Sequence, residues 1–193
     1  MSSPYGNAEK RLKIVETAYG LFKRNGFHAT GIDRIIDEAD IAKMTMYRHF
    51  PTKNALIVEV LRYRAARFER QLDELQENAS SPQHKIDEIF CWYERWFKTS
   101  EFYGCVFQHA LAEFNDPRSQ VNKAAVAQKL GLQERMRRIL LDCMSPESAG
   151  KIATALLMLL EGATLLAQMG QGLNAIDDAR LAAAHLVKCA GDA

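Results

Sequence analysis

Apolar residues recur along this chain with a period near 3.6, and no stretch sustains the period-2 alternation of β-branched residues that a strand needs. The pattern predicts about nine helices, over residues 8–25, 32–39, 43–49, 53–79, 83–99, 102–114, 117–143, 146–170 and 175–189, so the fold class is all-α. Starts are marked chemically. Ser81-Pro82, Asp116-Pro117 and Ser145-Pro146 each set a capping side chain before a proline, whose missing N–H costs nothing at a first helical position. Thr30-x-x-Asp33 and Asn174-x-x-Asp177 have the form of capping boxes with Asp in place of Glu. Gly26 and Gly170-x-Gly172 supply stops. The first three helices are short and the later ones long. The expected division is therefore residues 1–51 and 52–193, with the fourth helix bridging the parts and no flexible linker or internal repeat.

The segment from Ile41 to Lys53, IAKMTMYRHFPTK, mixes hydrogen-bond donors with apolar side chains. In the second helix, Ile32, Ile35, Ile36 and Ala39 form a buried stripe. In the third, Met46 and Phe50 lie four apart with Ile41 ahead of them. That arrangement turns Lys43, Met44, Thr45, Tyr47 and Arg48 outward. Two short helices joined by a tight turn make a helix-turn-helix, whose second member enters the DNA major groove. A helix of barely two turns is marginal alone and survives by packing one face, which leaves the other face free for bases. Lys43 can donate to guanine, Thr45 to either base type, and Met44 can rest on a thymine methyl. Thr30, Tyr47, His49 and Lys53 suit phosphate oxygens, which fix position without reading sequence. Thr52 and Lys53 also open the fourth helix, whose first amides attract an anion.

Charge alone says little. The chain is +1 overall, but residues 1–56 carry nine Lys/Arg against six Asp/Glu, and the remainder sixteen against eighteen. The four cysteines, at 91, 105, 143 and 189, form no CxxC or Cys/His knuckle. That argues against a zinc site or a disulfide framework and for reduced, cytoplasmic thiols. No apolar h-region opens the chain. The most apolar run, Ile152 to Met169, is broken by Glu161 and Gly162, so no membrane span is expected. There is no G-x-S-x-G, P-loop or HExxH. The glycines at 170 and 172 mimic a dinucleotide fingerprint but follow a helix rather than a strand. Neither an enzyme nor a cofactor or metal protein is indicated.

The eighth helix, IATALLMLLEGATLLAQM, is apolar nearly all round and must be covered on more than one side. Pairing of the last two helices with those of a second copy, as a four-helix bundle, accounts for this. Of 17 aromatic residues, eight lie between positions 90 and 107. That density suggests a ligand cavity drawn from this segment, the outer part of the fourth helix, and the seventh and eighth helices. Its candidate lining is Trp92, Trp96, Phe97, Cys105, Phe107, His109 and Met158. Cys105, His109 and Glu113 recur every four residues. Glu113 could hold His109 charged, and a charged imidazole would favour a Cys105 thiolate able to sense oxidants or electrophiles.

Residues 27–56, FHATGIDRIIDEADIAKMTMYRHFPTKNAL, resemble the DNA-binding signature of the TetR family of bacterial transcriptional regulators. The matching pattern is an aromatic-x-x-Thr, a helix, a turn, then Thr-x-Tyr-x-His-Phe-x-x-Lys-x-x-Leu. Here Phe27, Thr30, Thr45, Tyr47, His49, Phe50, Lys53 and Leu56 carry it. Three positions depart: Asp40 stands where the family usually has Gly, Ala42 replaces a Ser or Thr cap, and Met44 takes the place of a small residue. The resemblance implies an N-terminal three-helix DNA-binding domain and a C-terminal ligand-binding and dimerisation domain. It implies a homodimer on a palindromic double-stranded operator, and repression relieved by a small-molecule effector. Gly104-Cys105 is similar to a Gly-Cys in some electrophile sensors of that family. The alternative is an all-helical adaptor that binds protein rather than DNA, which would have no need of donors at 30, 47, 49 and 53 together.

Overall fold

The computed structural model describes residues 4–191, and within them the chain is helical with no strand. The helices are α1 (Pro4–Asn25), α2 (Ile32–Ala39), α3 (Lys43–His49), α4 (Lys53–Gln76), α5 (Pro82–Phe97), α6 (Val106–Glu113), α7 (Gln120–Leu140), α8 (Pro146–Gln168) and α9 (Gly172–Gly191). Two predicted caps form as expected. Ser81 accepts from the His84 amide at 3.2 Å and Ser145 from the Ser148 amide at 3.2 Å, each with proline in the first turn.

Several helix ends lie a few residues from the expected bounds, and three of the predicted caps do not form. Gly104 takes φ +84, which ends any helical run from 102, so α6 begins at Val106. Asp116 does not cap a helix at Pro117. Its carboxylate turns onto the Arg118 amide at 2.9 Å as an Asx-turn, and α7 starts at Gln120. The Thr30 box is absent: Gly31 is the N-cap of α2, without a side-chain bond. Asn174 lies inside α9, which starts at Gly172.

The described chain divides into two compact units, Met1–Arg67 with Cys105–Val126, and Phe68–Gly104 with Ala127–Ala193, so the division falls within α4 and α7. The first has a core of Ile14, Leu21, Phe22, Phe27, Ile35, Met46, Leu56 and Ile57, none more than 1% exposed. Gly26, at φ +81, closes α1 by donating to the Phe22 carbonyl at 2.9 Å. The second unit buries Phe68, Leu72, Ile89, Phe90, Leu132, Met136, Leu156 and Leu160 in one cluster. Ion pairs tie its helices together. Arg135 bonds Glu69 and Asp73, Arg180 clasps Asp87, and Lys129 meets Glu161 at 2.6 Å.

By length and composition alone α8 is long and apolar enough to cross a membrane, where the break at Glu161 and Gly162 led us to expect no span. In the structure it packs on α9 and α5, and Glu161 is spent on Lys129.

Candidate nucleic-acid interface

The turn between α2 and α3 fixes the candidate recognition helix. Asp40 ends α2 at φ 49, ψ 60, the one described non-glycine residue with positive φ. Aspartate accepts this left-handed conformation better than most side chains, which is why it can stand in for glycine. Its amide donates to the Asp37 carbonyl and that of Ile41 to the Ile36 carbonyl, so the chain reverses without leaving these donors unpaired.

Ala42 is the N-cap of α3 and offers no side-chain bond to the first turn. Replacing Ala42 with serine should therefore stabilise the fold by roughly 1 kcal/mol, read as a higher urea midpoint at unchanged slope.

Beyond the cap, Met46 is wholly buried and Phe50 is 3% exposed. The Arg11 guanidinium lies 5.2 Å over the Phe50 ring and also pairs with Glu59. With that face pinned, Met44 stands 82% exposed and Tyr47 43% exposed. Lys43 and Arg48 are exposed and Thr45 is half-buried. The base-reading and phosphate-reading candidates of α3 thus share one free face of a short, fixed helix. The Lys43 ammonium is 3.1 Å from the Asp33 carboxylate. That hydrogen bond, with the charge behind it, raises the lysine pKa.

Three predicted phosphate donors are placed differently. Thr30 is fully buried and its hydroxyl donates to the Gly26 carbonyl at 2.7 Å, so it shapes the turn before α2 and is not available to a phosphate. His49 is half-buried with Nε2 enclosed and unpartnered, so that nitrogen meets a phosphate only after a side-chain rotation. Burial, helped by the nearby Arg48, Arg11 and Lys10 charges, holds its pKa below the usual value. Lys53 donates to the His28 carbonyl at 3.3 Å, and burial lowers its pKa. Beside it Thr52 accepts from the Ala55 amide at 3.1 Å and opens α4.

One long-range contact in this unit has no counterpart in the expectations drawn from the sequence. Glu113, at the end of α6, accepts from the Phe27 amide at 2.9 Å and the His28 amide at 2.6 Å. The His28 ring stacks on Phe114 with centroids 4.9 Å apart, and its Nε2 lies 3.0 Å from the Glu113 carbonyl. The contact spans 85–86 residues, so no local pattern announces it.

The same contact bears on the expected Cys105–His109–Glu113 relay. The Glu113 carboxylate serves the two amides, and burial lowers the His109 pKa despite the nearby negative charge. That direction works against a charged imidazole beside Cys105. Cys105 itself is 7% exposed.

The remaining ligand candidates divide between the two units. Trp92, Trp96 and Phe97 belong to the second, where Phe68, Trp92, Trp96, Phe102 and Phe97 form a ladder with successive centroids 4.6–5.5 Å apart. An open pocket of about 290 Å³ in the same unit is lined by Phe97, the one ladder residue it shares, with Ala167 and residues 170–174. Phe107, with Cys105 and His109, belongs to the first. Met158 is mostly exposed on α8 rather than enclosed. Among the described residues no group of three or more His, Cys, Asp or Glu is arranged to hold a metal ion.

Residues 14–60 match the family model described as "Bacterial regulatory proteins, tetR family". The chain is 33% identical over 79 residues to the uncharacterized HTH-type transcriptional regulator YxaF of Bacillus subtilis, covering 40% of this chain and 41% of that protein. It is 30% identical over 102 residues to the HTH-type transcriptional regulator QacR of Staphylococcus aureus, covering 53% of this chain and 52% of that one. It thus spans about half the length of these two relatives. The crystal structure of a TetR-family transcriptional regulator from Streptomyces coelicolor superimposes with a TM-score of 0.89 at 23% identity, covering 95% of this chain and 97% of that one, so the fold is shared throughout.

Proposed function

We propose that the chain is a regulator of the tetR family, whose model residues 14–60 match, and that it is a homodimeric, sequence-specific transcriptional repressor acting on a palindromic operator in the cytoplasm. The observation that carries the proposal is the two-faced α3: Met46 and Phe50 anchor it while Lys43, Met44, Tyr47 and Arg48 stand free. A groove about 12 Å wide admits one such helix. Lys43 and Thr45 then meet base edges, Met44 a thymine methyl, and Tyr47, Arg48 and Lys53 the flanking phosphates. Thr30 and Glu113 act through the turn that carries α2.

Dimerisation rests on α8 and α9. Met158, Gly162, Leu165 and Met169 follow one another at i, i+4, i+7 and i+11 along α8, and the three side chains are all more than half exposed. A Cβ added at Gly162 would meet nothing within 4 Å, so the stripe is open enough for a second helix to approach closely. Leu173 and Leu181 extend the apolar face onto α9. Such a patch marks an interaction surface, and Met158 belongs to it rather than to the ligand-lining set. The aromatic ladder around Trp92 and Trp96 supports a small apolar or aromatic effector whose binding relieves repression.

A salt series in a gel-shift assay tests the regulator reading. Counterion release makes the logarithm of affinity fall linearly with the logarithm of salt, by about 0.9 per phosphate neutralised. Several phosphate contacts per half-site predict a steep slope. An adaptor or an enzyme would show none.

A further inference from the structure

We propose that Asp33 is the positioning residue for base reading: its carboxylate, on the first turn of α2, holds the Lys43 ammonium in the orientation that selects a base pair. The proposal rests on the DNA-binding reading above. Past the tight turn at Asp40, the side chain of Lys43 at the start of α3 reaches the first turn of α2, where its Nζ lies 3.1 Å from Asp33 Oδ1. Both side chains are well exposed, so the pair does little for stability. A carboxylate on the face that meets a polyanion also opposes docking. Its placement therefore needs another reason, and the lysine supplies one.

An ammonium on a four-carbon stem is mobile and has three donors. With one donor engaged by Asp33, two remain for an acceptor pair such as guanine O6 and N7, and the stem has already lost much of the freedom that binding would otherwise remove. The charge distribution agrees. Residues 30–56 carry four Lys/Arg and four Asp/Glu, while residues 1–29 carry five against two. Residues 30–56 are thus electrically neutral, so selection there rests on the placement of individual donors more than on bulk charge. Asp33 thus raises discrimination twice, by orienting Lys43 and by weakening attachment to sequences where Lys43 finds no partner.

The test is a double-mutant cycle read by fluorescence anisotropy. The probes are an operator duplex recovered by selection from random-sequence DNA, its single-base-pair variants, and one unrelated duplex. Asp33→Asn should cut discrimination at one base pair by about fivefold or more, the range of a single base-reading contact. Affinity for the unrelated duplex should rise severalfold. Lys43→Ala should lose discrimination at the same base pair, and the double variant should discriminate no worse than Lys43→Ala alone.

Losses that add, or fall at different base pairs, would overturn the positioning role while leaving the regulator reading intact. A change in melting temperature with discrimination unaltered would reduce Asp33 to a favourable charge at a helix start and also overturn it. Wild-type protein showing no salt-dependent binding to any duplex would overturn the regulator reading and, with it, this one.

Discussion

Replacing Leu165 with arginine should convert the protein from dimer to monomer and weaken operator binding by at least about a hundredfold. Leu165 sits mid-stripe between Met158 and Met169 and is 56% exposed in the single chain, so the subunit itself has room for a longer, charged side chain. In a dimer the same guanidinium would be desolvated against the partner's apolar face without a counter-charge, a penalty of several kcal/mol. Two half-sites held by one dimer gain roughly 10²–10⁴ over a single attachment, and a monomer forfeits that gain. Light scattering reads the mass and anisotropy the affinity, while an unchanged helical circular dichroism signal shows that the subunit still folds. A variant that stays dimeric would move the interface elsewhere.

The second large effect is expected at Glu113. Truncation to alanine removes both acceptors of the Phe27 and His28 amides and should destabilise the protein by about 2–4 kcal/mol, since hydrogen bonds to a charged partner contribute about 1.5–3 kcal/mol each and one of these is exposed. The turn it holds precedes α2, and Gly26 packs there so closely that an added Cβ would lie 3.0 Å from Glu113 Oε1. Glu113→Gln keeps one acceptor oxygen and should lose about half as much. Urea unfolding measures both, and operator binding should fall with stability because α2 and α3 are carried by that turn. If Glu113→Ala unfolds at the wild-type midpoint, the turn is held by packing alone.

What was legible in the chain, and what was not, follows the range of each interaction. Helix existence is a local matter: the stripe of Ile35, Ile36 and Ala39, with Ile32 at its start only half-buried, the Ser81 and Ser145 caps, and the Met46–Phe50 anchor all act within one or two turns. All of these are found where their spacing puts them. The missing cap at Ala42 and the left-handed strain at Asp40 were equally visible, because both depend on one residue and its neighbours. Cap assignments failed where one motif has two local solutions. Asp116-Pro117 makes an Asx-turn as readily as a helix cap, and Thr30 turned back to Gly26 instead of forward to α2. The candidate site failed where burial decides. Thr30 and His49 carry suitable donors, yet the enclosure of one and of the other's Nε2 is set by packing that no short window contains. Glu113 illustrates the extreme. On α6 it looked like a partner for His109 one turn away, but its carboxylate serves amides far back along the chain.

The most direct test of the central claim is photo-crosslinking from position 44, whose side chain on α3 is 82% exposed, with the operator duplex. A crosslinking group there should attach to bases in the major groove, at symmetric positions in two half-sites whose centres lie about 34–36 Å apart. Crosslinks to no base, or to one half-site only in a protein that is dimeric, would contradict the account.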